Sequence, residues 1–214
     1  MTTLTLCPCC SKPVAPSPLC ASCAELKGEE LERAVIRLLG KHGAKEVCPL
    51  PQEIQRNLDT FRRFGRGHGP DGVLGIDGAG RQAGGWLVLE VKGTDNRPSE
   101  LQDLRQLDEW VYLCSPHERP MRQIRIGTPG IRILDNSDWL PVRGVLVMNS
   151  SVKEAPQWRP DPFADKKIKL YAELHELCLV RWADLLKIGP PEALPSALLR
   201  TMFFTTGPFK TVQG

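Results

Sequence analysis

Apolar positions recur along the chain with two different periods. Between Glu25 and His42, Leu31, Ala34, Val35, Leu38 and Leu39 fall on one face at helical spacing, and Gly43 follows as a stop. That pattern predicts an amphipathic helix with Glu32 at the edge of the apolar face. A short strand is expected near Glu46–Leu50, followed by an ambiguous basic stretch over 51–69. GPDGVLGI and GGWLVLEVKG read as two strands joined by a glycine-rich turn. Ser99–Cys114 is a second amphipathic helix with Leu101, Leu104, Leu107, Val111 and Tyr112 inward. Residues 122–134 alternate around GTPG, predicting a hairpin with Arg125 and Arg132 on its polar face. Arg143–Asn149 reads as a buried strand, Asp165–Glu176 as a helix and Leu177–Arg181 as a strand. Ala183–Ile188 and Glu192–Phe204 complete the chain as helices. The order helix, three strands, helix, strand, helix, strand predicts a mixed α/β layer architecture.

Composition narrows the class. With 214 residues, 41% hydrophobic and 25% charged, the chain suits one core plus a small appendage, and collagen-like or fully disordered readings fail. The net charge of +3 is too mild to demand a nucleic-acid partner, although local basic patches remain available. No run approaches the roughly 18–20 apolar residues of a membrane helix. The start, MTTLTLCPCC, has neither a basic nor an apolar signal-peptide region. A soluble cytoplasmic protein without a membrane partner is expected.

Five of the eight cysteines lie within the first 23 residues. Cys7 and Cys10 form one Cys-x2-Cys pair, Cys20 and Cys23 another, with a proline-rich segment between them. Two such pairs can present four thiolates to one Zn2+. The segment has no core-forming pattern, so metal would supply its folding energy. A disulfide pair or a chance cluster is the competing reading, and a reducing compartment disfavours the disulfides. Cys9 is spare and could exchange with Cys7 or Cys10. The arrangement resembles a short zinc ribbon spanning 1–25, ahead of a main domain at 26–189 and a helical extension at 190–214. Cys48, Cys114 and Cys178 are isolated and read as buried small hydrophobes.

The strand WLVLEVKG carries the strongest chemical signal. Side chains alternate, placing Leu87, Leu89 and Val91 on one face and Trp86, Val88, Glu90 and Lys92 on the other. Both faces begin apolar, which marks a central strand, yet Glu90 and Lys92 follow on one of them. Buried charges cost several kcal/mol per ion unless paired or bound to metal. Asp71 opens the preceding strand. If the two strands are neighbours, Asp71 and Glu90 converge beside Lys92 and form a hard-oxygen site suited to Mg2+ or Mn2+. Such a metal would polarise a phosphate and lower the pKa of bound water. Taken singly, GPDG is an ordinary turn and Glu-x-Lys an ordinary ion pair; their combination is more specific.

Pro70-Asp71 followed by Glu90-Val91-Lys92 resembles the PD-(D/E)xK signature of restriction-endonuclease-like nucleases. The element order over about 26–188 fits that family's αβββαβ core with a mixed central sheet. The resemblance implies a metal-dependent endonuclease acting on DNA, with Asp71, Glu90 and the Val91 carbonyl ligating the metal. It implies that Lys92 orients the attacking water or stabilises charge on the phosphate. Glu32 matches the acidic residue that the family's first helix often supplies. Gln102 and Gln106 are candidates for a glutamine on the helix after the lysine strand, and Gln106-x3-Trp110 resembles a Gln-x3-Tyr motif with Trp in place of Tyr.

The segment FRRFGRGHGPD runs into Asp71, so Arg62, Arg63 and Arg66 could lie on the phosphate path or simply face water. His68 is a candidate proton shuttle or an incidental loop histidine. Arg125 and Arg132 could clamp DNA, or could form a charged edge that blocks aggregation. No P-loop, GxSxG or HExxH sequence occurs. The rival functional class is a non-catalytic nucleic-acid-binding or adaptor protein on the same scaffold. A homodimer or a larger complex supplying a motor is compatible with the sequence.

Overall fold

The computed structural model describes residues 5–14, 20–63, 69–76, 84–114, 142–155, 158–188 and 197–209. At the N-terminus β1 (Thr5–Leu6) pairs antiparallel with β2 (Pro13–Val14), and the short α1 (Ala21–Ala24) follows. Next come α2 (Gly28–Lys41), β3 (Lys45–Glu46), α3 (Gln52–Arg63), β4 (Gly72–Ile76) and β5 (Gly85–Gly93). The second half contains α4 (Leu101–Cys114), β6 (Val142–Asn149), α5 (Lys166–Leu174), β7 (Cys178–Arg181), α6 (Trp182–Leu185), α7 (Ala197–Phe204) and β8 (Gly207–Pro208).

Among the described residues, β3 to β8 form a six-stranded sheet whose spatial order follows chain order. The first three strands are antiparallel, and β5 to β8 are parallel. The parallel step from β5 to β6 needs a crossover, and α4 lies within it. The sheet is therefore mixed, and β5 is central.

The predicted alternation of β5 is realised. Leu87, Leu89 and Val91 join a core with Leu31, Val35 and Leu38 of α2. Val88 joins the opposite core with Leu104, Leu107 and Val111 of α4, and Trp86 packs against it. Close helix–sheet approach is fixed by Gly144 on β6: a Cβ there would lie 2.7 Å from side-chain atoms of Leu177 and Val111.

Several sequence expectations need correction. The basic stretch over 51–69 begins as a helix, α3, because Ile54, Leu58 and Phe61 are spaced to bury one face. Arg62 and Arg63 consequently stand in its last turn and not in a loop. The first long helix starts at Gly28, after a separate short α1, and the strand expected over Glu46–Leu50 is confined to Lys45–Glu46. Cys114 and Cys178 are buried as expected, whereas Cys48 is exposed. Cys48 precedes Pro49 in the segment between β3 and α3, outside the sheet. The C-terminal segment is more than helical, since β8 adds a sixth strand beside β7. Asp165 caps α5 by accepting from the Lys167 amide at 2.8 Å. The hairpin expected at 122–134 lies outside the described residues.

Candidate metal centres

The N-terminal hairpin places Cys7, Cys10, Cys20 and Cys23 together. Cys7 and Cys23 sulfurs are 3.7 Å apart, as are those of Cys10 and Cys20, and all four lie within 4.8 Å of one another. A tetrahedral zinc site with Zn–S bonds of about 2.3 Å has edges of about 3.8 Å. A disulfide would need sulfurs about 2.05 Å apart, and all eight cysteines are free. The four thiols can hold a metal such as zinc.

The turn favours the thiolate form at Cys10, while Cys7 and Cys23 are held protonated by burial. The Cys7 amide donates to the Lys12 carbonyl at 2.9 Å, closing the turn, while Ser11 takes a positive φ of 60°. Burial pushes the Cys7 thiol up, partly countered by the backbone amides of Cys9 and Cys10. Burial also opposes ionisation of Cys10, but the Lys12 amide and neighbouring thiols outweigh it and bring the thiol down to about 7. Cys9 is buried beside the cluster and acts electrostatically on Cys23, outside the set of four.

A second group of charged side chains sits at the β4–β5 pair. Gly72 pairs with Leu89, and the Asp71 amide donates to the Leu89 carbonyl at 3.0 Å, extending the ladder by one residue. This fixes Asp71 at the strand entrance beside Glu90. Its Oδ2 accepts from the Val91 amide at 2.6 Å. Glu90 is 1% exposed. Among the described residues its Oε2 has no hydrogen-bond partner. Its Oε1 is in ion-pair contact with Lys92 Nζ at 2.5 Å.

The charges respond to this crowding. Burial first, then the Asp71 charge, raise the Glu90 carboxyl while Lys92 opposes them, and the net rise takes it to about 7. Burial likewise raises Asp71, against the pull of the Val91 amide and Lys92. For Lys92, burial disfavours the charge, but Glu90, Asp71 and Asp103 more than compensate and hold it above the ordinary lysine value.

Glu32 reaches this field from α2. Ile36, one turn further on, packs over Gly72, where a Cβ would lie 3.3 Å from Ile36 Cδ1. Burial, then Asp71 and Glu29, raise the Glu32 carboxyl, while Lys92 and Arg33 lower it. The three carboxylates stand further apart than the thiols: the cysteines alone form a tight group of three or more such ligand atoms among the described residues.

Gln106 is half-buried on α4, Gln102 is exposed, and neither hydrogen-bonds to the carboxylates among the described residues. Trp110 packs edge-on against Phe61, with ring centroids 5.3 Å apart, as part of the core. The residue that α4 does bring near the site is Asp103, which residue spacing did not single out. It is buried, accepts from the Glu100 amide at 2.9 Å and from Arg97 at 3.1 Å, and its charge acts on Glu90 and Lys92. An acidic residue in a first helical turn ordinarily reads as dipole compensation, so the sequence signal was ambiguous.

Arg62 pairs with Asp59 at 3.2 Å and covers the turn into Asp71, since a Cβ on Gly69 would lie 2.8 Å from Arg62 Nη2. Arg63 is exposed. Arg66, His68, Arg125 and Arg132 lie outside the described residues.

No protein-family model, no curated protein and no solved structure matches this chain. Among the described residues no helix is long and apolar enough to cross a membrane.

Proposed function

We propose that the chain is a divalent-metal-dependent nuclease hydrolysing DNA phosphodiester bonds, with the core of a PD-(D/E)xK enzyme running from α2 to β6. One observation carries this reading. Two carboxylates on adjacent antiparallel strands converge beside a lysine, and one of their oxygens is buried without a partner. An isolated buried carboxylate is costly, and a hard cation is the ligand such oxygens suit.

Asp71 and Glu90 would hold Mg2+ or Mn2+, with the Val91 carbonyl as a further oxygen donor. When bound, the cation supplies Lewis acidity toward a phosphate oxygen and a bound water of lowered pKa. Lys92 keeps its proton beside Glu90 and can stabilise the negative charge that builds on the phosphate, or orient the attacking water. Glu32 adds an anionic group from the α2 side, placed to fix a water or a second ion. Arg62, at the turn into Asp71, is placed to meet a neighbouring phosphate.

A plasmid nicking assay tests the proposal. Wild type should nick with Mg2+ or Mn2+ and be silent in EDTA. Asp71→Ala and Lys92→Ala should each lose at least about 100-fold in rate, the scale of removing one electrostatic stabiliser. Equal cleavage by wild type and Asp71→Ala would remove the assignment.

A further inference from the structure

The cysteine module does not hang from the fold as an appendage; its exit is bolted to the end of the strand that carries Glu90 and Lys92. Cys23, Ala24, Leu26 and Lys27 follow one another out of the cluster, and each is held. The Cys23 carbonyl accepts from Trp182 Nε1 at 2.7 Å. The Ala24 carbonyl accepts from Asn149 Nδ2 at 3.1 Å and from Arg159 Nη1 at 2.7 Å. The Leu26 carbonyl accepts from the same Asn149 amide at 2.7 Å. Lys27 reaches Asp95 at 2.7 Å.

Asn149 is the junction. It is 3% exposed and ends β6, in register with Gly93 of β5, the residue after Lys92. Its Oδ1 accepts from Arg159 at 2.9 Å, and its carbonyl accepts from the Thr94 amide at 2.9 Å. Gly93 closes the contact from below. A Cβ there would lie 2.6 Å from Lys27 Cα, so the backbone leaving the module rests directly on the backbone leaving Lys92. Lys27 in turn is the N-cap residue of α2, which carries Glu32. One short segment therefore touches two of the three elements that supply the carboxylate site, α2 and β5. The knuckle between the module's two strands is held separately, at the far end of α2, where Lys41 Nζ donates to the Pro8 carbonyl at 2.8 Å and to the Cys9 carbonyl at 3.1 Å.

We propose that Asn149 and Gly93 are positioning residues through which metal in the Cys7–Cys10–Cys20–Cys23 cluster sets the geometry of the Glu32–Asp71–Glu90–Lys92 site. A metal-filled cluster fixes residues 23–27; Asn149 ties that position to β6, and Gly93 passes it to the end of β5. The arrangement makes the carboxylate site a dependent of the thiolate site. This rests on the carboxylate cluster being a metal site, as proposed above, but the structural coupling can be read without it.

The test uses the full chain in three forms: zinc-loaded wild type, wild type stripped by a chelator, and zinc-loaded Asn149→Asp. Asn149→Asp keeps shape and the Arg159 partner but loses the amide that donates to Ala24 and Leu26. The readouts are amide hydrogen exchange across the chain and Mn2+ affinity by electron paramagnetic resonance. Stripping zinc should lower protection at Val91–Thr94 and in the first turns of α2 by about tenfold or more, as well as in the module, while central β6 and α4 hold. Asn149→Asp should do the same at those two places with zinc still bound, and both changes should weaken Mn2+ binding at least tenfold. Loss of protection confined to residues 5–26 on stripping, or an Asn149→Asp chain exchanging like wild type, would overturn the coupling. If zinc-loaded wild type shows the exchange coupling but binds no Mn2+, the coupling stands and the carboxylate metal reading falls.

Discussion

The thiolate cluster and the carboxylate cluster gather like charges in opposite ways. The four cysteines lie on a short hairpin and at a one-turn helix, and two of their sulfur pairs already stand at the edge length of a metal tetrahedron. Asp71 and Glu90 lie on adjacent strands of a central sheet closed on both faces, with Glu32 added from α2. In the first region four thiols can hold a metal such as zinc, which would organise the local structure; in the second the fold itself holds the charges in place. The difference teaches where each should fail. Removing metal costs the first region its fold, and removing charge relieves the second of a strain.

The largest expected effect follows from the first half of that contrast. Cys20→Ser should release about one zinc per chain and cost several kcal/mol of stability, given the apparent binding energies of structural zinc. Metal analysis and chemical unfolding of the variant check it; full stability without zinc would show that the hairpin holds itself.

The second half gives an effect of opposite sign. Glu90 titrates at about 7 when folded against an ordinary 4.5. Between about pH 4.5 and 7 the folded chain keeps a proton that the unfolded chain has released, so stability falls as pH rises through that window. The fall is on the order of 3 kcal/mol and is not recovered above it. Asp71, also raised, acts in the same sense. In metal-chelated buffer, Glu90→Gln should lack this fall and exceed wild type in stability at pH 8. Comparing the two chains cancels the titration of the cysteines. Parallel pH profiles would mean that Glu90 is not the strained group.

The smallest effect concerns the margin of the carboxylate site. Arg62→Ala with Arg63→Ala should weaken DNA binding and flatten the log–log salt slope by about 0.9 for each phosphate no longer neutralised, so by up to about 1.8. An unchanged slope in a binding titration at several salt concentrations would leave both arginines as solvated helix-end charges.

Much of this contrast was legible in residue spacing. The alternation of β5 located a central strand with two charges on a covered face, and the paired Cys-x2-Cys spacing located the cluster. The facing of Asp71 and Glu90 was inferable once two strands with a short turn were recognised. Helix α3 was obscured because Arg56, Asp59, Arg62 and Arg63 dilute its stripe, although Ile54, Leu58 and Phe61 carry the period. Asp103 escaped notice because its role depends on how α4 docks on β5, a tertiary fact. Asn149 was equally silent: an asparagine at a strand end reads as a stop, and its amide gains meaning from carbonyls about 125 residues away.

The central proposal is that the Asp71–Glu90 pocket is a divalent-metal site whose buried charge Lys92 offsets only in part until a cation binds. Thermal unfolding of zinc-loaded wild type and Asp71→Asn at pH 8, with and without Mn2+, addresses it most directly. Wild type should gain about 2.7 kcal/mol when Mn2+ reaches 100 times its dissociation constant, while Asp71→Asn gains little. Equal shifts in the two chains, or none in wild type, would contradict the account.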